Sequence, residues 1–216
     1  MDENADRAAV ARDLMKEIDR RIGAYDRAGA VEAALRAARE GVVSIPELHT
    51  LVLAPLMALV GSRWQAGEAE VWQEHYATGI VRTIVESLAP LVHERAAQIP
   101  RNGRTAVLAC PPEEMHDLGL RMLLDRFLLA GWNAHFLGAD VPKDEIALAV
   151  RALSADLLVL SAATHYHRLR LRALVDELRQ AAPGLRILVT GSAFAHGHDG
   201  WADDEVLPPA ADLQEL

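Results

Sequence analysis

Residues 105–119 read Thr105-Ala106-Val107-Leu108-Ala109-Cys110-Pro111-Pro112-Glu113-Glu114-Met115-His116-Asp117-Leu118-Gly119, and their reading decides the fold. A short apolar run of strand length stops at two prolines, a polar loop follows, and from Leu118 the apolar residues recur at helical spacing. Strand, loop, helix is the first half of a parallel α/β unit, and the pattern continues downstream. Residues 133–137, 157–161 and 185–190 are further strand-length apolar runs, and residues 118–130, 143–153 and 169–181 carry helical periodicity between them. The order β-α-β-α-β-α-β predicts an α/β fold with a parallel sheet covered on both faces. Ligands of such sheets bind at the carboxyl ends of the strands. The chemistry is therefore expected in residues 111–119, 138–142, 162–167 and 191–198.

Working outward, residues 6–98 show apolar positions at spacings of three and four, as in Val42, Ile45, Leu48, Val52, Leu56 and Leu59. Turn formers near Gly29, from Gly41 to Pro46 and at Gly67 divide this half into about four helices, an N-terminal four-helix bundle. The polar stretch Ile99-Pro100-Arg101-Asn102-Gly103 is the expected linker. The division is a helical extension over residues 1–25, a bundle cap over 26–98 and the α/β domain over 103–216.

The chain has 216 residues and a formal charge of −9, with no dense Lys/Arg stripe, so direct nucleic-acid binding is not expected. No uninterrupted apolar run of membrane-spanning length is read, and the acidic start Met1-Asp2-Glu3 does not resemble a signal peptide, which predicts a cytoplasmic protein away from membranes. The single cysteine, Cys110, excludes an internal disulfide framework and is read as a small buried hydrophobe. Neither a nucleophile elbow nor a Gly-rich phosphate loop is present, so catalysis by the polypeptide itself is not expected.

In the first α/β loop, His116 follows a carboxylate, Glu114, by two residues. An imidazole that binds a metal through one nitrogen is held in the right tautomer when its other nitrogen donates to a carboxylate. Gly119 would let a bulky ligand approach the helix start. The plainer alternative is an exposed loop histidine beside a helix-start glutamate.

The loop resembles the Asp-x-His-x-x-Gly motif of cobalamin-binding domains, with Glu114 in the place of the aspartate and Asp117 inside the motif. Leu137-Gly138-Ala139-Asp140-Val141-Pro142 is similar to the Leu-Gly-x-x-x-Pro of that family, Ser161 to its third-strand serine, and Gly191-Ser192 to its small-residue pair. The resemblance implies a Rossmann-like (flavodoxin-like) domain with His116 as lower axial ligand to cobalt. It also implies that the cofactor's nucleotide tail lies near Ser161 and Gly191-Ser192, where small side chains leave room. Two departures are Ser161-Ala162-Ala163, where a leucine is usual two places after the serine, and Ser192, where a glycine is usual. The tail from Phe194 to Leu216 lacks the pattern of the family's last strand and closing helix, and is expected to be irregular.

In the helical half, Trp64 is followed after nine residues by Glu74-His75. On one unbroken helix Trp64 and His75 would stand about 16 Å apart, so a stop at Gly67 is required for them to act together. The arrangement resembles the cobalamin-dependent photoreceptors related to carotenoid-gene repressors, over residues 26–192. By that resemblance Trp64 packs over the upper adenosyl group, Glu74 bonds its sugar, and His75 approaches cobalt after light removes the group. Trp72 is read as bundle core. The pairs His165-x-His167 and His196-x-His198 are read as solvated loop residues, with His165 a candidate contact to the corrin edge.

The resemblance implies a light sensor that holds adenosylcobalamin and is not an enzyme; the photocobilins, which it also resembles, hold a bilin such as biliverdin as a second pigment, and the sequence carries no decisive bilin motif. About 25 residues precede the cap, fewer than a winged helix needs, so the signal is expected to pass through homo-oligomer formation or a separate protein effector, unless the chain is the sensory part of a longer protein. The alternative function is a corrinoid protein that carries methyl groups for a methyltransferase system, and a third is a flavodoxin-like domain with no corrinoid.

Overall fold

A computed structural model describes residues 3–195, 197 and 200–216. The chain forms two compact units, Met1–Glu94 and Arg95–Leu216. The first is helical: α1 (Glu3–Gly23), α2 (Arg27–Arg39), α3 (Ile45–Glu47), a π-helical segment (Leu48–Leu53), α4 (Ala54–Gln65) and α5 (Val71–Ala96), which runs to the boundary. The helices α3 and α4 and the π segment form one rod, Ile45–Gln65.

Ala11, Leu14, Ile18 and Ile22 give α1 a buried stripe, and α1 packs on α2, whose inward residues are almost all alanine. Small side chains let the two backbones approach closely. The break between them falls at Ala24–Asp26 rather than at Gly29. Asp26 caps α2 by accepting from Gly29 N at 2.9 Å, and Tyr25 turns the chain in the left-handed region at φ 58°. Ser44 and Glu47 start the rod with a reciprocal capping box behind Pro46. Arg63 grips Asp19 of α1 with two bonds of 2.7 and 2.8 Å.

By length and hydropathy the rod would suffice to cross a membrane, contrary to the sequence reading. Its apolar stripe of Ile45, Leu48, Val52, Leu53, Leu56 and Val60 is instead buried within the protein, as in a bundle core helix. The rod ends at Gln65, Gly67 reverses the chain at φ +73°, and α5 begins four residues later, as the spacing of Trp64 and His75 demanded.

The second unit is built from β1 (Thr105–Ala109), α6 (Leu118–Leu129), β2 (Asn133–Gly138), α7 (Lys143–Ala152), β3 (Leu157–Ser161), α8 (His165–Ala181) and β4 (Arg186–Thr190). The sheet is wholly parallel with order β2-β1-β3-β4. Strand alternation sends Val107, Ala109, Leu158, Leu160, Ile187 and Val189 toward α7 and α8. Ala106, Leu108, Leu157, Val159 and Leu188 face α6 and the C-terminal tail. Each valine, leucine or isoleucine among them, taken fully from water, contributes roughly 1.5–3 kcal/mol.

As expected, the tail is irregular. One parallel bridge, Val189 to Val206, stands beside β4, and Leu207 and Leu213 complete the α6 face. Polar clamps replace the missing elements. Arg172 and Arg179 hold Glu205, Arg172 lies 3.7 Å from the Trp201 ring centroid, and Trp132 Nε1 donates to Leu213 O at 2.7 Å. The segment between α5 and β1 is fixed at Gly131, which adopts φ +85° and whose carbonyl accepts from Asn102 N at 3.0 Å.

Candidate functional site

Strand register lines up the carboxyl ends: Ala109 lies beside Gly138 and Leu160, and Ser161 beside Thr190. The residue after β1, Cys110, is zipped to the β2 loop through Gly138 O at 2.9 Å and Val141 N at 3.1 Å. Burial, and the negative charges of Glu114 and Asp117, push its thiol up to about 12, so it is an inert hydrophobe, as read.

After Pro111-Pro112 the backbone of Glu113 enters the left-handed region at φ 70°, with its N–H held by Asp140 Oδ1 at 2.7 Å. Asp140, itself at φ 51°, returns its own N–H to Glu114 O at 3.0 Å. Two non-glycine residues in this region store strain that the reciprocal bonds offset. The resulting turn points the next side chain inward.

That side chain is Glu114, which is fully buried. Its Oε1 accepts from His116 N at 2.9 Å and lies 2.6 Å from His116 Nδ1. Its Oε2 accepts from Ala163 N at 2.8 Å and lies 2.8 Å from His167 Nδ1. Burial pushes the carboxyl up, but the His116 ring and the two backbone N–H groups outweigh it and hold it at about 2. An ionised carboxylate makes the His116 ring an Nδ1–H donor, while His167 Nδ1 is hydrogen-bonded to the Thr164 hydroxyl at 2.9 Å. The helix-start reading of Glu114 is excluded, since the side chain is interior and joins the β1 and β3 loops.

The His116 side chain remains 66% exposed, beside the exposed Met115. Asp117 takes the N-cap position of α6. A Cβ on Gly119 would meet no atom within 4 Å, so the helix start faces open space. Gly138 ends β2 at φ +90°, and Leu137 packs against the α7 and α8 face. Ser161 ends β3 and is buried.

The small pair after β4 has a reason beyond leaving room for a ligand. A Cβ on Gly191 would stand 2.3 Å from Ala162 O, and Ser192 Oγ donates to Ala163 O at 3.0 Å. The two loops touch, and only glycine permits the approach.

The third loop is shorter than expected, because α8 starts at His165 and not at residue 169. The Thr164 hydroxyl caps it by accepting from His167 N. His165 is exposed and lies 3.1 Å from Arg168 Nη2 through its Nδ1. His167 is not a solvated loop residue: its side chain is 13% exposed and it sits on Glu114. Thr164, three residues ahead of His167, is the capping signal that marks the true helix start. His196 and His198 lie outside the described residues.

In the first unit Trp64 occupies the last turn of α4 and is half-exposed. Glu74 and His75 lie near the start of α5, with His75 Nδ1 2.6 Å from Glu74 Oε2 and Thr78 donating to Oε1 at 2.7 Å. Trp72 is not core. It is 55% exposed and stacks on Tyr25 with ring centroids 6.0 Å apart. Among the described residues no group of three or more His, Cys, Asp or Glu is arranged to hold a metal ion by itself.

A parallel α/β unit that offers one carboxylate-braced imidazole at its strand ends is a module for binding a ligand or a cofactor-held metal. A family model described as B12 binding domain matches residues 104–215, more than half of the chain, and a second model with that description matches residues 14–89. The chain belongs to the B12-binding domain family.

It is 38% identical over 157 residues to the HTH-type transcriptional repressor CarH of Myxococcus xanthus, covering 71% of this chain and 50% of that protein. It is 30% identical over 138 residues to the HTH-type transcriptional repressor CarA of the same organism, covering 61% and 42%. The chain thus spans about half the length of the curated relatives it matches. It is 21% identical over 153 residues to Corrinoid protein DSY3155 of Desulfitobacterium hafniense strain Y51, covering 67% and 71%. The structure of the Methanosarcina barkeri monomethylamine corrinoid protein superposes with a TM-score of 0.77 at 20% identity, over 94% of this chain and 96% of that one, a likeness of fold.

Proposed function

We propose that this chain is a cobalamin-binding light sensor that takes adenosylcobalamin, with His116 as the residue for its lower side and Trp64, Glu74 and His75 as the residues for its upper group. The observation that carries the reading is the 2.6 Å contact between His116 Nδ1 and the buried, ionised Glu114. The donor set fits a corrin cobalt: an exposed imidazole whose Nδ1 is held by a carboxylate leaves Nε2 as the nitrogen that can ligate. Gly119 leaves space at the same helix start, and Met115 offers an exposed apolar contact.

Bound adenosylcobalamin would supply a photolabile cobalt–carbon bond, whose cleavage is the signal. The remaining work falls to side chains of this chain. His116 would hold the metal and Glu114 would keep its ring oriented. Asp117, Leu137, Gly138, Ser161, His165, Gly191 and Ser192 line the approach at the strand ends. Trp64 would pack against the adenosyl group, Glu74 would accept from its sugar, and His75 would be a second candidate ligand for the cobalt. Similarity to two repressors supports a regulator over an enzyme. The output is a change in self-association or in contact with a protein effector, in the cytoplasm.

A methyl carrier is the second reading, supported by similarity to a named corrinoid protein. Absorption spectra and gel filtration of the protein loaded with adenosylcobalamin, before and after green light, separate the two. A stable photoproduct whose formation changes the elution volume, and which is altered in His75→Ala, supports the sensor. A spectrum that light leaves unchanged, or a photoproduct indifferent to Trp64→Ala and His75→Ala, overturns it in favour of the carrier.

A further inference from the structure

The irregular tail is made of two parts held in different ways. Residues 201–206 are fastened by charge on the α8 side of the sheet, where Arg172 and Arg179 grip the Glu205 carboxylate and Arg172 stacks on Trp201. Val206 still packs on that side, but Leu207 packs on the α6 side, so the chain crosses the β4 edge between them. From there to Leu216 it is held by its own backbone carbonyls. Thr190 Oγ1 donates to Leu207 O at 3.1 Å, Arg126 to Pro209 O and Ala211 O at 2.6 and 2.9 Å, Trp132 Nε1 to Leu213 O at 2.7 Å, and Arg186 to Leu216 O at 2.7 Å. Burial pulls the pKa of Arg126 down, so lifting the segment would return that cation to water.

The upper end of this second part borders the candidate site. Ser161 follows Leu157 and Val159 in strand alternation, so its side chain faces the α6 side, and Thr190, its partner in register, holds Leu207 O. Leu207 is 3% exposed and closes the apolar cluster that includes Cys110, Leu120 and Leu188. We propose that residues 207–216 are a strap that competes with the nucleotide tail of cobalamin for the α6-side groove, so that loading lifts the strap while residues 201–206 stay in place as its hinge. The inference rests on the reading of His116 as the lower cobalt ligand. An imidazole in that position displaces cobalamin's own base, and the freed tail has to be housed on the His116 side of the corrin, at the strand ends. Its flat apolar base can replace Leu207 against the cluster with little loss of buried area. The carbonyl bonds of the strap exchange for bonds to water at small net cost, and the carboxylate clamp of the hinge does not depend on them. A competent state that is only partly populated weakens apparent affinity by its fraction, so the strap sets the affinity for corrins that carry the tail and for no others.

The test compares adenosylcobalamin with adenosylcobinamide, the same corrin without the nucleotide tail, on the full chain in the dark. Hydrogen exchange read by mass spectrometry should show protection of residues 207–216 lost with adenosylcobalamin, kept with adenosylcobinamide, and unchanged over residues 201–206 with either. Arg126→Met keeps the apolar stem and removes two carbonyl bonds. It should tighten adenosylcobalamin binding by about fivefold and leave adenosylcobinamide binding as it was. Equal changes for the two ligands, or strap protection that stays or rises with adenosylcobalamin, overturn the proposal. The reading of His116 survives that result if the absorption spectrum shows the cofactor's base displaced. Adenosylcobalamin that fails to bind, or binds with its own base still on cobalt, overturns both. Thermal melting establishes that Arg126→Met is folded; if it is not, Arg186→Met, which releases Leu216 O alone, takes its place with the same direction of effect.

Discussion

Glu114 is the residue on which the candidate site turns, because it is buried, ionised and shared by two loops. Exchange to Gln keeps the volume but removes the charge and half the acceptor capacity. Glu114→Gln should therefore weaken cobalamin binding by roughly 10- to 100-fold while the chain remains folded, measured by titration of the absorption change. The pair Glu114 and His116 was legible in the sequence because two residues separate them and the chemistry is local. His167 was not, since its contact to Glu114 joins loops about fifty positions apart and exists only once β1 and β3 are paired side by side. The exposure of Trp72 was illegible for a related reason: an amphipathic helix shows which side is apolar, but Tyr25, from another turn, gave that ring a surface partner.

At the level of elements, the parallel sheet was written in the apolar runs, whereas strand order was not. The loops after β3 and β4 show why glycine stands at 191. With φ at +110° and a Cβ position 2.3 Å from Ala162 O, the Gly191→Ala protein must move one loop off the other. A loss of at least about 2 kcal/mol in urea unfolding is expected, with a parallel loss of cobalamin binding because the Ala163 N–H donor moves with its loop. Binding and stability equal to wild type would show that the loop contact has no such role. Helix starts are written in capping residues: Ser44 and Glu47 advertise theirs, and Thr164 does so less openly because the apolar period begins only at Leu169.

For the whole molecule, the irregular tail is held by charge where the sequence offered no strand or helix to read. Hydrogen bonds from Arg172, the Ala202 N–H and Arg179 bring the Glu205 carboxyl to about 2 despite partial burial. Its folded value, like that of Glu114, is below the unfolded one near 4.3. A depressed carboxyl contributes stability that is present above the unfolded value and is lost as pH falls toward the folded one. Stability of the second unit should thus be level near neutrality and decline from about pH 5 to pH 2. Glu205→Gln should cost about 1–3 kcal/mol at pH 7 and flatten that decline, as followed by thermal melting at several pH values. The central claim is that His116 ligates the cobalt, and the most direct measurement is the dark absorption spectrum of adenosylcobalamin bound to wild type and to His116→Ala. The account predicts a spectrum with the nucleotide base displaced and an imidazole in its place in wild type, lost in the variant; identical spectra from the two proteins would contradict it.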